Sequence, residues 1–162
     1  MPTGCYQRTY SADHLAQNPG QTVSQLTISF GRLSDGQRVG EEAVDPVIAW
    51  VNALMAPTET TQQDGTAGRR FSEGLFCMPH EQHRLDADWV QDGGIICGVE
   101  CDGGFFQVVS VNDEGMFIRT DGIRLSECGG SDAQVRMKDE GAGPTTYRLF
   151  PMPADICAGV ED

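Results

Sequence analysis

Val23-Ser24-Gln25-Leu26-Thr27-Ile28-Ser29-Phe30 is the stretch on which the fold turns. Leu26, Ile28 and Phe30 fall on one side of an extended chain, with Gln25, Thr27 and Ser29 on the other. A period of two marks a half-buried strand. Apolar segments of strand length recur downstream at 70–77, 94–100, 104–111, 115–120, 133–138 and 145–150. Between the apolar runs stand five Asp-Gly pairs, Asp35-Gly36, Asp64-Gly65, Asp92-Gly93, Asp102-Gly103 and Asp121-Gly122, whose tolerance of positive φ suits tight hairpin turns. A second hairpin signal lies at Asn112 to Gly115.

Residues 46–55 read two ways. Asp45-Pro46 is a good helix start, and Val47, Val51 and Leu54 share a helical face. Val47, Ala49, Val51, Ala53 and Met55 also alternate as a strand, and a meander requires one here. Read as a strand, this segment brings the count to about eight. The expected fold is therefore all-β, an antiparallel meander closed or nearly closed into a barrel, with a two-sheet sandwich as the alternative. Ser11 caps a short N-terminal helical turn that ends at Asn18-Pro19-Gly20, and 58–69 reads as a polar flexible loop.

The 162 residues suit a single domain, 1–162. The formal net charge is -13. Residues 1–80 carry eight acids and five bases, and 81–162 carry sixteen acids and six bases, so the second half holds most of the excess. Such a surface repels phosphate backbones, so nucleic acid is not an expected partner, whereas a basic protein would be attracted. The longest apolar run, 47–51, is far shorter than the ~20 residues of a membrane helix. Met1-Pro2-Thr3-Gly4 lacks the charged start and apolar stretch of a signal peptide.

Six cysteines, Cys5, Cys77, Cys97, Cys101, Cys128 and Cys157, in a turn-rich β chain read as up to three disulfides, and hence as an oxidising compartment with any signal already removed. Cys5 and Cys157 flank the domain and would tie its ends together. The Asn112 hairpin brings Cys128 near Cys97 or Cys101, and the other of those two would pair with Cys77. A Cys97–Cys101 bridge is disfavoured, because residues four apart in a strand lie ~13 Å apart. Thr3-Gly4-Cys5 also resembles a lipoprotein signal end, in which Cys5 would carry lipid. The even cysteine count argues for the disulfide.

Three segments carry a resemblance. Cys5-Tyr6-Gln7-Arg8-Thr9-Tyr10-Ser11-Ala12-Asp13-His14-Leu15-Ala16, followed by Pro19-Gly20-Gln21-Thr22-Val23, resembles the opening of small exported bacterial proteins of unknown function. Cys97-Gly98-Val99-Glu100-Cys101-Asp102-Gly103-Gly104-Phe105-Phe106 is similar to their central C-x-x-x-C-D-G-G-x-F motif. Tyr147-Arg148-Leu149-Phe150-Pro151-Met152-Pro153, with Cys157 after it, fits their close. The resemblance implies export, to a periplasmic or secreted location, and a cysteine-stapled β domain. It carries no activity.

No catalytic or cofactor motif emerges. Cys77, His80 and His83 have a spacing that zinc accepts, with Cys97 or Cys101 as a further ligand, and this gives a zinc-binding or redox reading of the 77–83 region. The competing reading places Cys77 in a disulfide and both histidines on a solvated turn. Cys97-x-x-x-Cys101 is not the C-x-x-C of thiol oxidoreductases. Ser131, in Gly129-Gly130-Ser131-Asp132, lacks the closing glycine of a nucleophile elbow, and nothing fixes His14 as its base. Lys138, the only lysine, has no activating neighbours in sequence. The favoured expectation is a non-catalytic exported domain that binds a small apolar ligand or a basic protein. Leu26, Ile28, Phe30, Phe76, Phe106, Val108, Phe117 and Leu149 are its candidate inward-facing positions.

Overall fold

The computed structural model describes residues 2–32, 47–83, 85, 87–127 and 132–158. Its strands are β1 (Gly4–Thr9), β2 (Val23–Arg32), β3 (Val47–Met55), β4 (Arg70–Pro79), β5 (Ile95–Gly98), β6 (Gly104–Asn112), β7 (Gly115–Glu127), β8 (Gln134–Met137) and β9 (Thr145–Met152). Short helices α1 (Ala12–Gln17), α2 (Glu59–Gln63) and α3 (Ala154–Cys157), with a 3-10 turn at His80–Gln82, complete it. Eight strands close an antiparallel barrel in the cyclic order β1-β2-β3-β4-β5-β6-β7-β9, and β8 adds to the second half of β7. The expected barrel is thus the architecture, and the sandwich is not. No helix among the described residues is long and apolar enough to cross a membrane.

The eight barrel strands are not the eight read from sequence. Gly4–Thr9 has only Cys5 and Tyr6 to bury, and no alternation. It becomes a strand because β2 pairs with it on one edge and β9 on the other. The 133–138 segment, expected in the meander, is instead the extra strand β8. The 46–55 ambiguity resolves to a strand paired with both β2 and β4, with one register shift between Val23 and Gln25 of β2, its Pro46 lying outside the described residues. The expected loop at 58–69 contains α2, nucleated by a capping box between Thr58 and Thr61. Ser11 caps α1 as expected, accepting from the His14 N–H.

The Asp-Gly pairs divide by context. Asp102-Gly103 belongs to the β5–β6 turn, where Cys101 (φ 57°) and Asp102 (φ 62°) both take the left-handed conformation. Asp121-Gly122 is no turn at all. It lies within β7, where the partner changes from β9 (through Thr120) to β8 (from Ile123), and Gly122 at φ 114° accommodates the change. Gly104 packs against this point so closely that a Cβ there would collide with the Gly122 carbonyl. Asp64-Gly65 closes α2, Asp92-Gly93 precedes β5, and Asp35-Gly36 lies outside the described residues. Asn112 and Gly115 pair across a two-residue hairpin, as expected.

Side chains fill the barrel. Leu26, Ile28, Phe71, Leu75, Phe106, Met116, Ile118, Leu125, Tyr147 and Leu149 form one buried cluster. Phe30 and Val108 join it. Phe76 and Phe117 do not. Phe76 is 39% exposed and alternates with the buried Leu75 and Cys77. Phe117 alternates with the buried Met116 and Ile118 and lies under the Arg148 guanidinium. Both point outward because parity along a strand, not hydrophobicity, decides the face.

Two disulfides staple the domain. Cys5–Cys157 fixes α3 against β1, and Cys77–Cys97 joins directly opposed residues of β4 and β5. The first is the predicted bridge, and the second realises one of the two pairings left open. Cys101 is exposed and bonded to no cysteine among the described residues; Cys128 lies outside them.

The barrel closes weakly at one place. β1 and β9 pair only through Cys5–Met152, Tyr6–Pro151 and Gln7–Phe150. Beyond Gln7 the two strands part, β1 staying with β2 and β9 with β7. The segment after β8 enters this split. The Glu140 N–H donates to the Gly20 carbonyl (2.8 Å), and the Thr22 hydroxyl donates to the Lys138 carbonyl (2.6 Å).

Candidate functional site

The most apolar recess among the described cavities lies on the outer wall of β4, β5 and β6. Its floor follows from register. Cys77, Cys97 and Phe106 stand opposite one another and face the core. Their strand neighbours therefore face out, in two rows. One row is Phe76–Gly98–Phe105 and the other is Met78–Ile96–Gln107. Gly98 leaves a gap between two aromatic rings, directly beside the Cys77–Cys97 bridge. The resulting cavity, about 640 Å³, is walled by Phe76, Met78, Leu85, Ile96, Val99 and Phe105. A volume of this order suits a small-molecule site, which is typically ~300–1,000 Å³ and largely apolar with a few polar groups. The polar groups here are His83, Glu100 and Asp102, all exposed at the margin.

Residues 89–93 lie over this wall and are fastened to it. Trp89 stacks on Phe105 with ring centres 4.9 Å apart and planes 14° from parallel. Gln107 supplies the main fastening. Its buried amide donates to the carbonyls of Gln91 (2.7 Å) and Gly93 (2.8 Å) and accepts from the Gln91 N–H (3.0 Å). That satisfies both amide donors and the carbonyl oxygen of a side chain only 1% exposed. The His80 ring nitrogen Nδ1 accepts from the Gly93 N–H (3.3 Å).

The residues singled out from sequence are placed as follows. The Cys77 sulfur is bonded to Cys97 and is not a thiolate ligand in this structure. His80 is engaged with Gly93, whereas His83 borders the groove. Among the described residues, no three His, Cys, Asp or Glu side chains converge as a metal set. The His14 ring contacts the Gln21 carboxamide oxygen (2.9 Å), and Lys138 pairs with Asp121 (2.8 Å). Ser131 lies outside the described residues. Sequence reasoning missed Gly98, Trp89, Phe105 and Gln107. A glycine inside a strand is itself a signal of a bulge or a close approach, and Gly98 carried that signal unread.

A second cavity, about 460 Å³, opens at the barrel mouth between Tyr6, Ile95 and Val108. A third, about 330 Å³, lies beside α3 at Cys157. The chain matches no protein-family profile, no curated protein and no solved structure.

Proposed function

We propose that this chain is a non-catalytic binding domain of a periplasmic or secreted protein, and that its outer groove takes a small apolar ligand with a cationic or hydrogen-bond-donating end. One observation carries the reading: Gly98 opens a gap between Phe76 and Phe105 on a wall held rigid by the disulfide beneath it. Apolar rings exposed around a recess favour an apolar guest. Glu100 and Asp102 at the margin, on a chain of net charge -13, favour a positive end over a negative one. Two disulfides are compatible with an oxidising, extracellular setting.

The reading is tested by titrating the protein with decyltrimethylammonium and with decyl sulfate below their micelle concentrations, following heat and Trp fluorescence. Saturable one-to-one binding of the cation, at least tenfold tighter than of the anion, is expected. A Cβ at Gly98 meets only ordinary contact, 3.7 Å from the Phe105 Cβ, so the backbone admits a side chain there, and that of Gly98→Leu is directed into the gap; an unchanged circular-dichroism spectrum checks its fold. That variant is expected to lose binding. Absence of saturable binding by the native chain, or binding unchanged in Gly98→Leu, overturns the proposal. Binding of a basic protein that survives Gly98→Leu would move the site to another part of the acidic surface.

A further inference from the structure

The split beyond Gln7 holds a polar cluster that the groove does not use. Tyr147 is inward-facing on β9 and 2% exposed, yet its hydroxyl has no hydrogen-bond partner among the described residues. Asp139, which enters the split from the segment after β8, has a buried Oδ1 that is likewise without one. Burial, and after it the charge of the nearby Asp139, pushes the Tyr147 phenol well above its ordinary pKa. Tyr10 is near enough to the same groups to interact electrostatically with Tyr147, Asp139 and Arg8. Its ring is tilted against His14 of α1 (4.9 Å) and covered on a face by the Arg8 guanidinium (4.9 Å).

Buried hydroxyls and carboxylates without partners are rare, because each forfeits its interaction with solvent. Two such atoms in one split have a common solution in a small molecule that both donates and accepts. Charge selects its class. His14 and Lys138 lie close enough to the Asp139 carboxylate to act on it, so a further cation is repelled, while Asp139 itself repels an anion. A neutral hydrogen-bonding molecule remains.

We propose that the split between β1 and β9 is an internal hydration site, in which an ordered water accepts from or donates to the Tyr147 hydroxyl and donates to Asp139 Oδ1. Two backbone donors at the split are already satisfied. The Asp139 N–H donates to the Thr145 hydroxyl (2.9 Å), and the Tyr10 N–H donates to the Ser24 carbonyl (2.9 Å). The water completes the hydrogen bonding of these two side chains and joins β9 to the segment that fills the weak side of the barrel.

Oxygen-17 relaxation dispersion of the solvent measures long-lived internal waters without interference from labile hydroxyl protons. Tyr147→Phe is expected to lower its amplitude by about one water and to lower the urea midpoint. Asp139→Asn keeps an acceptor oxygen and is expected to leave the amplitude unchanged. Equal amplitudes for the native chain and Tyr147→Phe overturn the proposal. So does a raised urea midpoint in Tyr147→Phe, because removing a hydroxyl with no partner at all stabilises a core. A fall in amplitude in Asp139→Asn excludes Asp139 as the second anchor and overturns it too.

Discussion

The wall of β4 and β5 and the seam of β1 and β9 solve the same closure problem by different means. On the wall, a covalent bond joins two residues that are already opposite each other, both inward and buried. The outer rows beside it can then be left open, and the groove is the result. At the seam, three residue pairs close the sheet and polar side chains fill the remainder. The disulfide there does not cross the seam strands directly but ties α3 to β1. A wall stapled at its middle supports an exposed apolar surface; a seam stapled only at its Cys5 end needs polar filling beyond Gln7. The seam is therefore the expected first point of opening.

The largest test of that contrast is removal of each staple in turn. Cys5→Ser with Cys157→Ser opens a loop of 152 residues, and chain entropy puts the loss at about 5 kcal/mol. Cys77→Ser with Cys97→Ser opens only 20, for about 3 kcal/mol. Urea unfolding of both double variants measures the order. A larger loss from the wall pair would show that the wall, not the ends, governs stability. Next comes Gln107→Ala, which strands the peptide groups of Gln91 and Gly93. It is expected to cost about 1–3 kcal/mol and to raise hydrogen exchange between the 3-10 turn and β5 while leaving the seam protected. Exchange rising equally at β1 and β9 would dissolve the distinction between the two regions.

The smallest expected effect is electrostatic and belongs to the seam. Burial, opposed by His14 and Lys138, holds the Asp139 pKa above its ordinary 3.8. The folded state thus binds that proton more tightly than the unfolded state. Its contribution is fully present below pH 3.8 and is lost as pH rises through the folded value. Asp121 is shifted the other way by its bond to Lys138, so its contribution is present above the same reference value and lost in acid. Asp139→Asn is expected to raise stability slightly at neutral pH and to remove the declining slope above pH 3.8, as read by urea midpoints from pH 3 to 7. An unchanged slope would show that Asp139 is solvated in the native protein.

The contrast also sorts what could be read in advance. β2 was legible because Leu26, Ile28 and Phe30 alternate with polar residues, and that pattern needs no knowledge of neighbours. β1 was not, since its strand character comes from pairing on both edges rather than from Gly4–Thr9 itself. Asp121-Gly122 carried a turn signal that the tertiary structure overrode, using the glycine for a change of partner within β7. Cys5–Cys157 could be guessed because both residues flank the domain. The groove could not, because it exists only through the register that sets Gly98 between Phe76 and Phe105. Register is a property of pairs of segments, and no single segment states it. Tyr147 likewise reads as an ordinary inward aromatic until the parting of β1 and β9 leaves its hydroxyl without a strand neighbour to answer it.

The bridge between Cys5 and Cys157 makes the intervening polypeptide a closed ring. Anything attached before the first of these residues or after the second is mechanically joined to one sulfur–sulfur node. Tension applied across such attachments runs through that node and bypasses every strand pair but Gly4–Phe30. Past that single pair the hydrogen-bond ladders of a loaded domain bear no force, until a reductant cuts the node and hands it to the three pairs of β1 and β9.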